Sequence, residues 1–320
     1  MTKIRSSNSS RIDDRRGQGG GGGGGGLGGL LRGGLGGGGG GGGLPLPGGG
    51  LGGLLKGGGG LMTLLVLAAV FILPKLMGGG LGGGGGSGLS PATQGGDQAT
   101  AGGAGVCDSE LEAIICGATD DVAQYWTDQL PLSFNVAYQE TKTVFFSGST
   151  NTGCGQASSQ TGPFYCPIDN LVYFDLDFLV TLQNQFGATG DLAAQYIVAH
   201  EYGHHIQNLL GLNAQMHEAQ QADPDRANQY SVALELQADC FAGAWARDAA
   251  DRARFDDPKE VEEALNAAAA VGDDRIQQQT QGRVDPESWT HGSSAQRVEW
   301  FQRGFQTGDP QRCSTFSELF

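Results

Sequence analysis

Five consecutive residues, His200-Glu201-Tyr202-Gly203-His204, carry the strongest chemical signal in the chain. The residues before them, Tyr196-Ile197-Val198-Ala199, are apolar, and Asp191 opens a helical pattern that reaches Gly211. On a helix, residues four apart share a face, so His200 and His204 aim two imidazoles at one point. Two such nitrogens suit a zinc ion in a tetrahedral shell. Glu201 then falls beside the ion rather than on it. There a carboxylate can take a proton from water that the metal has made more acidic. Gly203 lets a second backbone or a ligand approach the helix closely.

A zinc that does chemistry needs a third protein ligand and one open position. Glu235, in Glu235-Leu236-Gln237-Ala238-Asp239, is the candidate, and Asp239 lies one helical turn on, facing the same way. The expected division of labour puts Glu235 on the metal and Asp239 on the far nitrogen of a ligand histidine, fixing its ring. The reverse assignment stays open. Val232, Leu234, Leu236, Cys240 and Phe241 around them are apolar, so two carboxylates there require partners. His291, just ahead of a helix start at Ser293, is a candidate donor to a developing oxyanion, with a structural turn role as its rival. Arg297 is expected to pair with Glu235 or Asp239. His205 points about 100° away from His204 around the helix and reads as structural, and His217 reads as exposed.

The elements that must position these residues follow from pattern. Ser109 to Gln129 has helical spacing, whereas Leu132 to Phe146 and Gly162 to Phe174 carry the aromatic and β-branched residues of strands. A polar, Gly-rich loop from Ser147 to Thr161 joins them. Helices follow from Asp191, from Asp223-Pro224 to about Ala253, and from Asp257-Pro258. The last starts at Ser293, with Gln296 placed for a capping box. Strands gathered first and helices later predict an α+β domain.

The first hundred residues are mostly glycine with scattered leucine and offer little to bury, so a disordered basic leader is expected over 1–60. From Leu61 to Leu73 the chain is apolar, and no charge intervenes between Lys56 and Lys75. The reading is one transmembrane segment over 61–77, with flanking lysines reaching outward, then a Gly-rich tether over 78–105 and one folded domain over 106–320. A cleaved signal peptide competes with this reading, but the leader is long and no clean cleavage site follows. Seven of the 19 Lys and Arg precede Leu61, against two of the 34 Asp and Glu. That excess places the amino terminus in the cytoplasm and the domain across the cell membrane. All six cysteines lie in the domain, as suits an oxidising compartment. The close pairs Cys107/Cys116 and Cys154/Cys166 are natural bridges, leaving Cys240 and Cys313, although six cysteines allow fifteen pairings. No C-x-x-C occurs, and the acidic domain is a poor partner for nucleic acid.

His200-Glu201-Tyr202-Gly203-His204-His205, with Glu235-Leu236-Gln237-Ala238-Asp239-Cys240, resembles the bacterial family of neutral zinc metallopeptidases. So do Gly162-Pro163-Phe164-Tyr165-Cys166-Pro167 with Tyr173 and Asp175, and Thr290-His291-Gly292-Ser293-Ser294 with Gln296-Arg297. The resemblance covers nearly all of 106–320 and implies a zincin-like fold, Zn2+ as cofactor and hydrolysis of peptide bonds. The expected sites are His200, His204 and Glu235 on the metal, Asp239 behind them, and Glu201 and His291 in catalysis. The expected partners are a peptide or protein substrate and a membrane. A catalytically silent zinc-binding scaffold of the cell envelope is the alternative. An interaction protein whose working part is the Gly-rich leader is a further rival.

Overall fold

A computed structural model describes residues 2–17, 106–159, 161–179, 190–255, 257 and 259–316. The apolar run 61–73, the tether and most of the leader lie outside these residues. Among the described residues no helix is long and apolar enough to cross a membrane.

Helix α1 (Glu110–Phe134) begins at a capping box: the Glu112 backbone N–H donates to Ser109 Oγ (3.2 Å), and the Ser109 N–H donates to Glu112 Oε2 (2.8 Å). It runs on through Pro131 and ends only where Asn135 turns left-handed at φ 55°. Residues 132–134 are therefore its last turn and not the start of a strand. The sheet proper comprises β1 (Ile12–Asp14), β2 (Lys142–Phe146), β5 (Phe164–Cys166) and β6 (Leu171–Asp175), in the order β1-β2-β6-β5. β2 lies parallel to both β1 and β6, and β5 runs antiparallel at the far edge. Alternation along the strands serves two cores. Phe145, Val172 and Phe174 face the helices, while Val144, Phe146 and Tyr173 face a smaller cluster with Ala157 and Cys166. The stretch expected as a loop covers that second face as a hairpin, β3 (Ser149–Thr152) and β4 (Gly155–Ser158), stapled to β5 by Cys154–Cys166.

The helical half contains α2 (Asp191–Leu209), α3 (Leu212–Ala222), α4 (Ala227–Asp251), α5 (Lys259–Ala270), α6 (Asp273–Gln281) and α7 (Ser294–Thr307). Asp223-Pro224 opens a single tight turn ahead of α4, and α3 fills the connection between α2 and α4. Ser293 and Gln296 form the capping box expected of α7. Two glycines let α4 and α7 touch backbone to backbone. A Cβ on Gly243 would lie 2.0 Å from Phe301 O, and one on Gly304 would lie 1.9 Å from Cys240 O. Gly203 likewise brings α2 against α4, with a Cβ there 3.1 Å from the Ala238 backbone. Disulfides Cys107–Cys116 and Cys240–Cys313 complete the three pairs.

The leader requires a correction at its start. Residues 2–17 are not a solvated tail but part of the folded unit. β1 pairs with β2 from Ile12↔Thr143 to Asp14↔Phe145. Ile4 is 2% exposed, and its carbonyl accepts from Gln195 Nε2 (3.0 Å). The Ser6 N–H donates to Ala113 O (2.9 Å), and Gly117 leaves room for the Arg5 backbone, whose Cα would lie 2.6 Å from a Cβ there. These residues escape the glycine composition that follows them: four arginines and two aspartates stand among the first 17.

Candidate metal centre

α2 and α4 pack side by side, and the site lies between them. His200 and Glu235 are buried and His204 is partly exposed. One donor atom from each falls within 4.8 Å of the others. His200 Nε2 is 3.2 Å from Glu235 Oε2 and 3.2 Å from His204 Nε2, and His204 Nε2 is 3.5 Å from Glu235 Oε1. Ligands about 2.0–2.1 Å from a tetrahedral zinc stand roughly 3.3 Å from one another. The three side chains are thus spaced as the corners of such a shell. Their opposite ring nitrogens are already engaged: His200 Nδ1 with Asp239 Oδ1 at 2.9 Å, His204 Nδ1 with Gln207 Oε1 at 2.8 Å. With the Nδ1–H groups donating, both Nε2 lone pairs face the shared point.

Asp239 is fully buried and sits in a tight network. Tyr196 donates its hydroxyl to Asp239 Oδ1 (2.5 Å), and Arg297 donates Nε to Oδ2 (2.8 Å) and Nη2 to Oδ1 (3.0 Å). Of the two partners foreseen for Arg297, Asp239 is the hydrogen-bonded one; Glu235 Oε2 stands 3.8 Å away. Tyr196 was not foreseen. Its only sequence signal was a place one turn before His200, where it read as core.

Charge sets the state of these groups. Burial disfavours the Asp239 carboxylate, but Arg297 and His200 outweigh it and hold its pKa below the ordinary value. Burial likewise works against charged Glu235, yet His204 and His200 keep it well below the usual carboxylate range. His200 loses stability as a cation through burial and regains more from Asp239, so its ring is pushed up to about 9. A cation arriving there must displace that proton. Glu201, 7% exposed, behaves oppositely, because burial raises its carboxyl above the ordinary value. That direction suits a group that must hold a proton for part of a cycle.

His291 reaches the same region from the loop before α7. A Cβ on the adjacent Gly292 would meet Val232 and Leu236 of α4, on either side of Glu235 in the sequence. Asp273, at the start of α6, orders this loop. Its Oδ2 accepts from the backbone N–H groups of Thr290 (2.8 Å), His291 (2.7 Å) and Gly292 (3.1 Å), while its Oδ1 lies 3.1 Å from His291 Nδ1. Burial lowers the His291 pKa and Asp273 and Glu235 more than restore it, leaving it above its usual value. Asp273 escaped the sequence reading because it lies 18 residues from His291 in an ordinary helix-start position. His205 turns away: its ring lies 2.7 Å from Gln139 O and 3.1 Å from Tyr165 Oη, so it ties α2 to β5. His217 sits on α3, 2.7 Å from Gln221 Nε2 at an exposed position.

Known proteins place the chain on the same ground. It is 46% identical over 211 residues to the uncharacterized protein YpfJ of Escherichia coli K12, covering 66% of this chain and 72% of that one. It is 48% identical over 217 residues to the uncharacterized protein Mb2605 of Mycobacterium bovis, covering 65% and 71%. The uncharacterized protein Rv2575 of Mycobacterium tuberculosis matches to the same extent. No solved structure matches. A family profile described as "Putative neutral zinc metallopeptidase" spans residues 1–316, taking in both the docked amino-terminal segment and the two-helix site. On that match and on the shared identity, the chain belongs to this zinc metallopeptidase family.

Proposed function

We propose that the protein is a zinc-dependent endopeptidase, with His200, His204 and Glu235 holding the metal. The observation that carries the reading is the convergence of these three donors with a second buried carboxylate, Glu201, on the same helix as the two histidines. Zinc held there supplies Lewis acidity toward a peptide carbonyl and toward water. Glu201 takes the proton of the attacking water on its carboxylate. It then returns that proton to the amide nitrogen as the C–N bond breaks. His291, its Nδ1 held by Asp273, offers Nε2–H to the oxygen that gains charge on attack. Asp239 and Arg297 keep the His200 ring in place. At the sheet edge β5 pairs only with β6 among the described residues, and Tyr165 on β5 contacts His205 next to the site. An extended peptide added to that edge would lie beside the donors.

The silent-scaffold reading asks for a site closed by a fourth protein ligand. Among the described residues the cluster has three members, and a buried Glu201 has no task in a closed site. Glu201→Gln separates the two. One zinc per chain should remain while hydrolysis of a peptide library falls by about 10²–10⁴-fold. Turnover at the wild-type level by that variant would remove the mechanism. His291→Ala should lower kcat by about 10²–10³-fold with KM little changed, the pattern of a group that acts in the transition state. A rise in KM with kcat intact would make His291 a binding residue instead.

A further inference from the structure

A carboxylate holds the His200 ring, but His204 is held by a chain of neutral amides. Its Nδ1 lies 2.8 Å from Oε1 of Gln207, the next turn of α2, and Gln207 is fully buried. The Gln207 amide donates Nε2 to Leu234 O (2.7 Å) and to Gln237 Oε1 (3.1 Å), both on α4. Gln237, also buried, donates its own Nε2 to Cys313 O (3.0 Å). We propose that Gln207 and Gln237 are positioning residues for His204, and that the Cys240–Cys313 disulfide anchors them, so that the metal site is complete only in the oxidised chain. This rests on the reading of His200, His204 and Glu235 as zinc ligands.

Donor and acceptor roles run one way along this relay. A backbone carbonyl only accepts, so Cys313 O takes an N–H of Gln237 and turns the Gln237 oxygen toward Gln207. That oxygen and Leu234 O are both acceptors, and together they claim the two N–H groups of Gln207. The Gln207 oxygen is left to face His204, where it can only accept. The proton therefore sits on His204 Nδ1. The Nε2 lone pair then points to where His200 Nε2 and Glu235 Oε1 converge, 3.2 and 3.5 Å away. Turning over either amide would set oxygen against oxygen in a buried place, with no water to relieve it. A neutral relay also orients this ring without adding another negative charge beside Glu201 and Glu235.

The carbonyl that starts the relay is fixed on both sides. Cys313 is buried and bonded to Cys240, three residues beyond Gln237 on α4. Two residues later Thr315 donates its hydroxyl to Ala233 O (2.8 Å), one turn before Gln237. Ala233, Gln237 and Cys240 share one face of α4, so the segment Cys313–Thr315 is strapped along that face with its first carbonyl on Gln237. Cys240 also follows Asp239 directly, which puts the bridge next to the residue that orients the other histidine. Opening the bridge releases the strap at the end from which the whole relay takes its direction.

Competition with a chromophoric chelator on the full chain, stripped of metal and refilled with zinc, tests this. Gln207→Leu should bind zinc about 10–100-fold more weakly than the wild type. Gln237→Leu should cost about 3–10-fold, because Gln207 keeps its bond to Leu234 O. The double variant should be no weaker than Gln207→Leu alone, since Gln237 reaches the ring only through Gln207. Losses that simply add would mark two separate packing effects and overturn the relay. In proton NMR of the zinc-loaded chain, Gln237→Leu should move the His204 Nδ1–H resonance upfield and leave that of His200 in place. A His204 resonance that stays put would also overturn it. The bridge-free chain, Cys240→Ala with Cys313→Ala, is checked for folding by circular dichroism. It should lose the same 3–10-fold and lose nothing more when Gln237→Leu is added; full zinc affinity without the bridge would refute the anchor. The glutamine variants keep every disulfide, so the relay is decided even where the bridge-free chain does not fold. A wild-type chain that takes up no zinc would instead refute the ligand assignment, a separate failure.

Discussion

Gly304 offers the sharpest test of how the fold holds the site. Replacing a helix-interior glycine with alanine normally stabilises by about 1 kcal/mol. Here the added methyl would lie 1.9 Å from Cys240 O, 2.8 Å from Ala244 N and 2.9 Å from Cys240 C. All three are backbone atoms of α4, so no side chain can swing aside. The helices must part by about 1 Å or more, and overpacking of this kind costs about 3 kcal/mol, the upper part of its usual range. The net loss is about 2 kcal/mol, which in a domain of roughly 200 residues lowers Tm by about 4–8 °C. The site should register the same movement. Arg297 rides on α7 two turns before Gly304, and its 2.8 and 3.0 Å bonds to Asp239 cross the interface that opens. Thermal unfolding of Gly304→Ala, with and without zinc, reads both effects, and zinc should raise Tm less than in the wild type. A higher Tm for the variant would refute the packing argument, because propensity alone would then have decided the outcome.

Two further outcomes follow from buried carboxylates. Asp239→Asn removes the negative charge and leaves one acceptor oxygen for the donors of Tyr196, His200 and Arg297, which two oxygens now share, so the His200 ring is held less firmly and zinc affinity should fall about 10–100-fold. Competition with a chromophoric chelator measures it, and an unchanged affinity would deny Asp239 a positioning role. Asp121 is buried against Trp245 Nε1 (2.9 Å) and the half-exposed Arg252 and Arg254. Burial opposes its charge, but those partners depress its pKa below the ordinary value. Its contribution is thus present in full above the unfolded-state pKa of about 3.9 and is lost as pH falls through the lower folded value. Asp121→Asn should cost about 1–3 kcal/mol at pH 7, less than a fully buried pair because both arginines reach solvent, and the deficit should shrink in acid. Urea midpoints at pH 7 and pH 3 check this, and a deficit that grows in acid would reverse the sign of the argument.

The site was legible where one helix supplies the whole constraint. His200, Glu201 and His204 share a face by the helical repeat alone, and Glu235 and Asp239 do the same on the next helix. Gly203 also announced the close approach of α2 to α4. What escaped depends on tertiary placement. Tyr196 looks like any core aromatic until α7 brings Arg297 beside it, and Asp273 looks like a helix-start acid until the Thr290–Gly292 loop folds onto it. Local composition misled at two points. Phe134 is aromatic but lies in the last turn of a helix that passes through Pro131. The first 17 residues precede so much glycine that they were read with it, although their own arginines and aspartates have partners far along the chain. Such a strand pairs across more than 120 residues, a distance at which no periodicity speaks.

That pairing has a practical corollary. The far side of β2, Lys142-Thr143-Val144-Phe145-Phe146, is a short, β-branched and aromatic ladder whose Thr143 N–H and Phe145 carbonyl are taken up by Arg11 and Arg15. A domain excised at residue 106 would carry these groups bare and would also leave the recess of Ile4 empty. An uncovered ladder of that composition is a template for other chains, so such a fragment would tend to self-associate through it. Adding a peptide of residues 2–17 should keep the fragment monomeric, which makes the amino terminus this fold's own guard against aggregation.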